Sequence, residues 1–120
     1  MDKEITIEEL RKLVIKFRDE REWKKYHNPK DLAISTSIEA AELLEMFQWK
    51  TDDEIKELLK NKEKYEKVCE ELADIIIYCL DMSEIIDADI SEIVKKKLEH
   101  NAKKYPVEKA KGSAKKYTEL

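Results

Sequence analysis

The chain is poor in the residues that punctuate a β-rich fold. Among 120 residues there is one glycine, and there are two prolines. A sheet protein of this length would need many more turn formers. Cysteine is equally scarce, with only Cys69 and Cys79. On one predicted helix they would stand about 15 Å apart, too far to bond to each other. Both fall in an apolar segment, so buried free thiols are expected, which suits a reducing compartment and a cytoplasmic protein. No apolar run approaches the roughly 18 residues of a membrane span. The opening Met1-Asp2-Lys3-Glu4 has no apolar signal region. Nor is there an excess of positive charge: 24 Lys and Arg face 28 Asp and Glu, a net charge of −4. That argues against a broad basic surface for a nucleic acid polymer. Nucleotides stay open, because a metal ion can offset the charges.

What the chain has in quantity is charge and apolar bulk together, 43% and 42% of residues. That balance argues against disorder and for amphipathic helices. The expectation is an all-α protein, a four-helix-type bundle. Thr6 to Glu9 forms a capping box that opens a first helix, read as running to about Tyr26. Asn28-Pro29 marks a second start, with Asn28 as cap and Pro29 in the first helical position. This helix is read to about Trp49. Thr51 to Glu54 is another capping box, opening a short connector over Glu54 to Leu59. A long helix is expected from Lys62 to about Ile86. A last one, capped by Asp89, runs to about Lys104, before Pro106. The domain is placed at residues 1–106. A tail, 107–120, carries Gly112 and Ser113, lacks periodicity, and is either disordered or laid over a neighbouring surface.

Two stretches carry the chemistry. In the second helix Glu39 and Glu42 are three apart and share one face, with Met46 and Trp49 continuing the stripe. Apolar residues such as Ile34, Ile38, Leu43, Leu44 and Phe47 occupy the other directions, which suits a helix in the middle of a bundle. In the long helix Glu71, Asp74 and Tyr78 share a face in the same way, again among apolar neighbours. Buried carboxylates without partners cost several kcal/mol each, so they are normally paired or bound to a metal. Neither stretch shows a Lys or Arg at a matching spacing. Glu39, Glu42, Glu71 and Asp74 therefore suggest an oxygen-ligand metal site, for Mg²⁺ first and Mn²⁺ second. A solvated acidic face is the alternative. A di-iron bundle would want Glu-x-x-His, and neither His27 nor His100 stands at that spacing. Glu45 points further round, as an extra ligand, a base or a surface residue. Lys97 and Asn101, four apart on the last helix, are either a solvated face or phosphate contacts. Trp23, His27, Trp49 and Tyr78 are either core aromatics or a platform for a planar base.

Longer segments carry a resemblance. They are Glu20-Arg21-Glu22-Trp23 with Tyr26-His27-Asn28-Pro29, Glu39-x-x-Glu42-Leu43 with Phe47-Gln48-Trp49-Lys50-Thr51-Asp52, and Glu70-Glu71-Leu72-Ala73-Asp74-Ile75-Ile76-Ile77-Tyr78. Lys97-x-x-x-Asn101, Tyr105-Pro106 and Lys116-Tyr117-Thr118-Glu119-Leu120 complete the set. Over nearly its whole length the chain resembles the MazG-like all-α nucleoside triphosphate pyrophosphohydrolases, and among them the eukaryotic-type dCTP pyrophosphatases. The resemblance implies hydrolysis between the α and β phosphates, giving a nucleoside monophosphate and pyrophosphate, in a nucleotide-pool role. It implies metal ligands at Glu39, Glu42, Glu71 and Asp74. It implies a base pocket of Trp23, His27, Trp49 and Tyr78, and phosphate contacts from Lys97 and Asn101, with Lys97 stabilising charge. It further implies a homo-oligomer, a dimer or a tetramer built as a dimer of dimers. The rival expectation from another class is a non-catalytic helical module that keeps a metal for structure.

Overall fold

Local signals at the helix starts account for most of the fold. In the computed structural model, which describes Met1–Leu120 throughout, six α-helices and two short 3₁₀ turns follow one another with no strand. Helix α1 spans Ile7–Glu20, α2 Pro29–Phe47, α3 Asp52–Lys60 and α4 Lys62–Ile85. Helix α5 spans Ile90–Lys104 and α6 Val107–Ala110. Thr6 and Thr51 each close a capping box, with Glu9 and Glu54 as the reciprocal partners. Asn28, Asn61 and Asp89 cap α2, α4 and α5 through their side-chain oxygens. Each such cap satisfies a backbone N–H that the helix cannot, and is worth about 1 kcal/mol. No helix is long and apolar enough to cross a membrane.

Two helices end earlier than their periodicity suggests. Helix α1 stops at Glu20 because the chain turns through Glu22, whose φ is 55°. Trp23 N–H reaches back to the Arg18 carbonyl and Glu22 N–H to that of Asp19, a Schellman closure with Glu where Gly is usual. Lys24–Tyr26 then forms a 3₁₀ turn instead of a fifth helical turn. Helix α2 stops at Phe47, and Gln48-Trp49 forms a turn closed by Lys50 N–H on the Phe47 carbonyl. With φ of −58° at Gln48 and 66° at Trp49, this is a type II turn. Trp49 occupies the position that favours glycine, and it is 91% exposed. Helix α3 is longer than the connector expected, beginning at its capping box.

The chain divides into two compact units, Met1–Asp87 and Ala88–Leu120. In the first, α4 packs chiefly along α2 and also against α1 and α3. Its buried hydrophobic centre is small: Leu32, Leu58 and Leu80. The expectation of helices covered on all sides is not met within one chain. Ile34, Ile38, Leu44, Leu72 and Ile76 stand exposed on α2 and α4. Cys69 and Cys79 are exposed as well, not buried. The reason is their register: Tyr65, Cys69, Leu72, Ile76 and Cys79 alternate in steps of four and three along α4, a heptad-type seam. Within the first unit that seam stays exposed. In the second unit, the segment after Pro106 has structure of its own. Tyr117, in a 3₁₀ turn at Tyr117–Glu119, meets the Tyr105 ring edge-on, and Lys104 Nζ lies 4.7 Å from the Tyr117 ring centre.

Candidate active site

The pairing of α2 with α4 brings the two acidic motifs together. Glu39, Glu42 and Glu71 each offer a carboxylate oxygen, and these atoms lie within 4.8 Å of one another. Glu71 is 2% exposed, Glu39 half-buried and Glu42 exposed. One oxygen of Glu71, Oε2, is buried and meets no hydrogen-bond donor while Glu39 is ionised. Such an orphaned acceptor is costly unless a proton or a cation visits it.

The electrostatics follow from the crowding. Glu39 is raised to about 7, first by its hydrogen bond with Glu71, then by burial, then by the charges of Glu42 and Asp74. Glu71 is pushed the other way, below the usual carboxylate range, because Glu39 donates to it and Lys67 stands beside it. Below about pH 7 the pair thus holds one shared proton, mostly on Glu39. Lys67 corrects the expectation that no basic residue matches the motif. Its Nζ lies 3.1 Å from Glu71 Oε1, one turn earlier on the same helix. Lys67 and Glu71 stand at i and i+4, the spacing at which side chains on a helix surface meet. Glu45, Glu42, Met46, Lys67 and Glu71 line a cleft of about 400 Å³, so Glu45 stands at the rim of the cluster.

Asp74 is not in the tight trio. It lies on the wall of a neighbouring, largely apolar cavity of about 440 Å³, while its charge still reaches Glu39. Trp23, His27 and Tyr78 line this cavity with it, alongside Leu10, Val14 and Phe17 among others. Tyr78 is raised above the usual phenol range by burial first, then by the charges of Glu39 and Asp74. Trp49 is not part of this wall. Lys97, exposed, and Asn101, half-buried, lie a turn apart on α5 in the second unit.

The cavity also contains residues that sequence reasoning missed. Arg18 and Asp81, each 2% exposed, face one another across α1 and α4, with Arg18 Nη1 2.8 Å from Asp81 Oδ1. Arg18 also binds Asp19 at 2.9 Å and Glu84 at 2.7 Å. Burial pulls the guanidinium down, and these three carboxylates more than offset it, holding it above its ordinary value. The other oxygen of Asp81 takes His27 Nδ1 at 2.5 Å. Asp81 was within reach of the pattern, since it follows Glu71, Asp74 and Tyr78 on the same helical face.

Comparison with known proteins identifies the family. Residues 34–120 match the model of the MazG-like family. Over 117 residues the chain is 37% identical to dCTP pyrophosphatase 1 of Bos taurus and 36% to that of Homo sapiens, covering 98% of this chain and 69% of each relative. A solved pyrophosphatase from Archaeoglobus fulgidus is 48% identical, covering 83% of this chain and 92% of its own, with a TM-score of 0.77. Glu39, Glu42, Glu71 and Asp74, on paired helices beside an aromatic cavity, thus belong to a chain that is a member of the MazG-like family.

Proposed function

We propose that this protein hydrolyses dCTP, or a modified dCTP, to dCMP and pyrophosphate in a Mg²⁺-dependent reaction. The coarser statement needs no proposal: family and relatives make it a nucleotide pyrophosphohydrolase. The observation that carries the finer one is the carboxylate trio, with its orphaned Glu71 oxygen, beside a cavity wide enough for a base. Glu39, Glu42 and Glu71 would hold the metal, with Asp74 completing the set from the cavity wall, and an all-oxygen donor set suits Mg²⁺ or Mn²⁺. Bound there, the ion would neutralise phosphate oxygens and make water a stronger nucleophile.

The chain's own residues supply the rest. Trp23 and Tyr78 offer ring surfaces for a base and His27 a polar edge. Leu10, Val14 and Phe17 add an apolar wall beside it. Glu39 holds a proton in the free site and gives it up when a cation arrives. For Trp49 at the base, and for Lys97 and Asn101 at the phosphates, the support is the family resemblance alone, since Trp49 is off the cavity wall and the α5 pair belongs to the second unit. Residues 1–106 form the catalytic domain in this reading, and 107–120 its tail.

Assembly is part of the proposal. The exposed apolar seam of α4 is the kind of surface that subunit interfaces hide. A dimer, or a tetramer of paired dimers, is the state that accounts for it. The test of function is pyrophosphate release from a panel of NTPs and dNTPs with Mg²⁺ and with EDTA. Pyrophosphate from dCTP, stopped by EDTA, is expected. Orthophosphate as the first product would refute the reading.

A further inference from the structure

Most of the buried charge in this fold lies off the carboxylate trio. Arg18 and Asp81 are both 2% exposed, and Arg18 Nη2 is buried without a partner. A buried ion pair short of one hydrogen bond is a poor stabilising device, since well-packed apolar residues do as well or better. Its position suggests another use. Both residues line the cavity with His27, and Asp81 divides its two oxygens between Arg18 and His27.

We infer that Asp81 is a positioning residue that sets the tautomer of His27 and so the choice of base. The inference rests on the reading that this cavity takes the base of dCTP. A carboxylate only accepts, so His27 Nδ1 must carry the hydrogen that lies between them. In the neutral ring Nε2 then has a lone pair and no proton, and it is the ring atom left for a ligand. An acceptor there matches the 4-amino group of cytosine and opposes the 4-carbonyl of uracil or thymine. Arg18 keeps the arrangement one-sided. Its guanidinium only donates, so the oxygen it holds cannot be exchanged for an amide NH₂ without setting donor against donor. Glu84 and Asp19 are the other carboxylates on Arg18, and Lys24 lies 3.7 Å from Glu84. Asp74 and Tyr78 face the same cavity.

Asp81→Asn is therefore a directed test. Arg18 retains the amide oxygen, so the NH₂ points at His27 Nδ1. The ring must then present a lone pair at Nδ1 and a proton at Nε2, which turns the acceptor into a donor. The full-length protein with Mg²⁺ is assayed at pH 8.5 against dCTP and dUTP. The ratio of their kcat/KM values should fall by about tenfold or more, the worth of one hydrogen bond reversed, and mainly through KM. Equal loss for both substrates would make Asp81 structural and overturn the inference. A second measurement does not depend on the variant folding. Nitrogen-15 NMR of the wild type should show His27 protonated at Nδ1, and a histidine complement of two makes assignment by His100→Gln direct. The Nε2–H form would overturn the inference. If the wild type hydrolyses no nucleoside triphosphate, the functional reading itself has failed, and the base assignment falls with it whatever the tautomer.

Discussion

Metal binding should expel a proton from the site, and the amount can be worked out from Glu39. Its carboxyl is held up to about 7 by Glu71, burial, Glu42 and Asp74. A cation bound by these oxygens needs Glu39 ionised, so binding and deprotonation are linked. The proton released should be about 0.9 per site at pH 6, about 0.5 at pH 7 and near zero at pH 8.5. The apparent affinity for Mg²⁺ or Mn²⁺ should correspondingly fall about tenfold between pH 8.5 and pH 6. Calorimetry of metal binding in buffers of different ionisation enthalpy reads the proton count directly. Stability of the metal-free protein has its own sign. A carboxyl whose folded value is raised favours the folded state at low pH, and that advantage is lost as pH rises from the ordinary carboxylate range through about 7. In EDTA the protein should therefore melt lower at pH 8 than at pH 6, and Glu39→Gln should flatten that slope. The depressed Glu71 acts in the opposite sense but below the ordinary carboxylate range, outside this window. Metal binding at pH 6 without proton release would refute the reasoning, because Glu39 would then be either already ionised or not a ligand.

Other consequences are simpler to test. Lys67→Met removes the ammonium 3.1 Å from Glu71, so it should tighten Mn²⁺ binding; weaker binding would make Lys67 a support for the ligand instead of a competitor. Trp49→Ala should weaken a non-hydrolysable dCTP analogue by roughly 1–3 kcal/mol, the worth of a base–aromatic stack. Because Trp49 is 91% exposed, the metal-free melting temperature should barely move unless the residue packs in the assembly. Light scattering should give a mass near four times 14.3 kDa, or at least twice; a monomer at micromolar concentration would contradict the interface assigned to the α4 seam.

The parts of this structure that were legible in the sequence are local. A cap such as Thr6 or Asn28 acts on a residue three positions away, and a Glu-x-x-Glu repeat fixes a helical face without reference to the rest of the chain. Helix ends were harder, since the turns at Glu22 and Trp49 place residues in backbone regions that favour glycine. Arg18 and Asp81 lie 63 residues apart, and nothing local announces that two charges will meet in the interior. Lys67 was legible and overlooked, because a lysine one turn before Glu71 is easily taken for a solvated residue. The cysteines were misread for a different reason. Apolar surroundings in sequence do not distinguish a core from an apolar face left exposed within one chain.

The most direct test of the central claim is dCTP turnover by wild type and by Glu71→Gln, with dCMP and pyrophosphate both quantified. Glu71 supplies the buried, unpartnered oxygen on which the metal assignment rests. Wild type should yield the two products in equal amounts with Mg²⁺. The variant should keep its helical content and assembly while losing at least about a hundredfold in rate and most of its metal affinity. A Glu71→Gln protein that turns over dCTP at the wild-type rate would contradict the account.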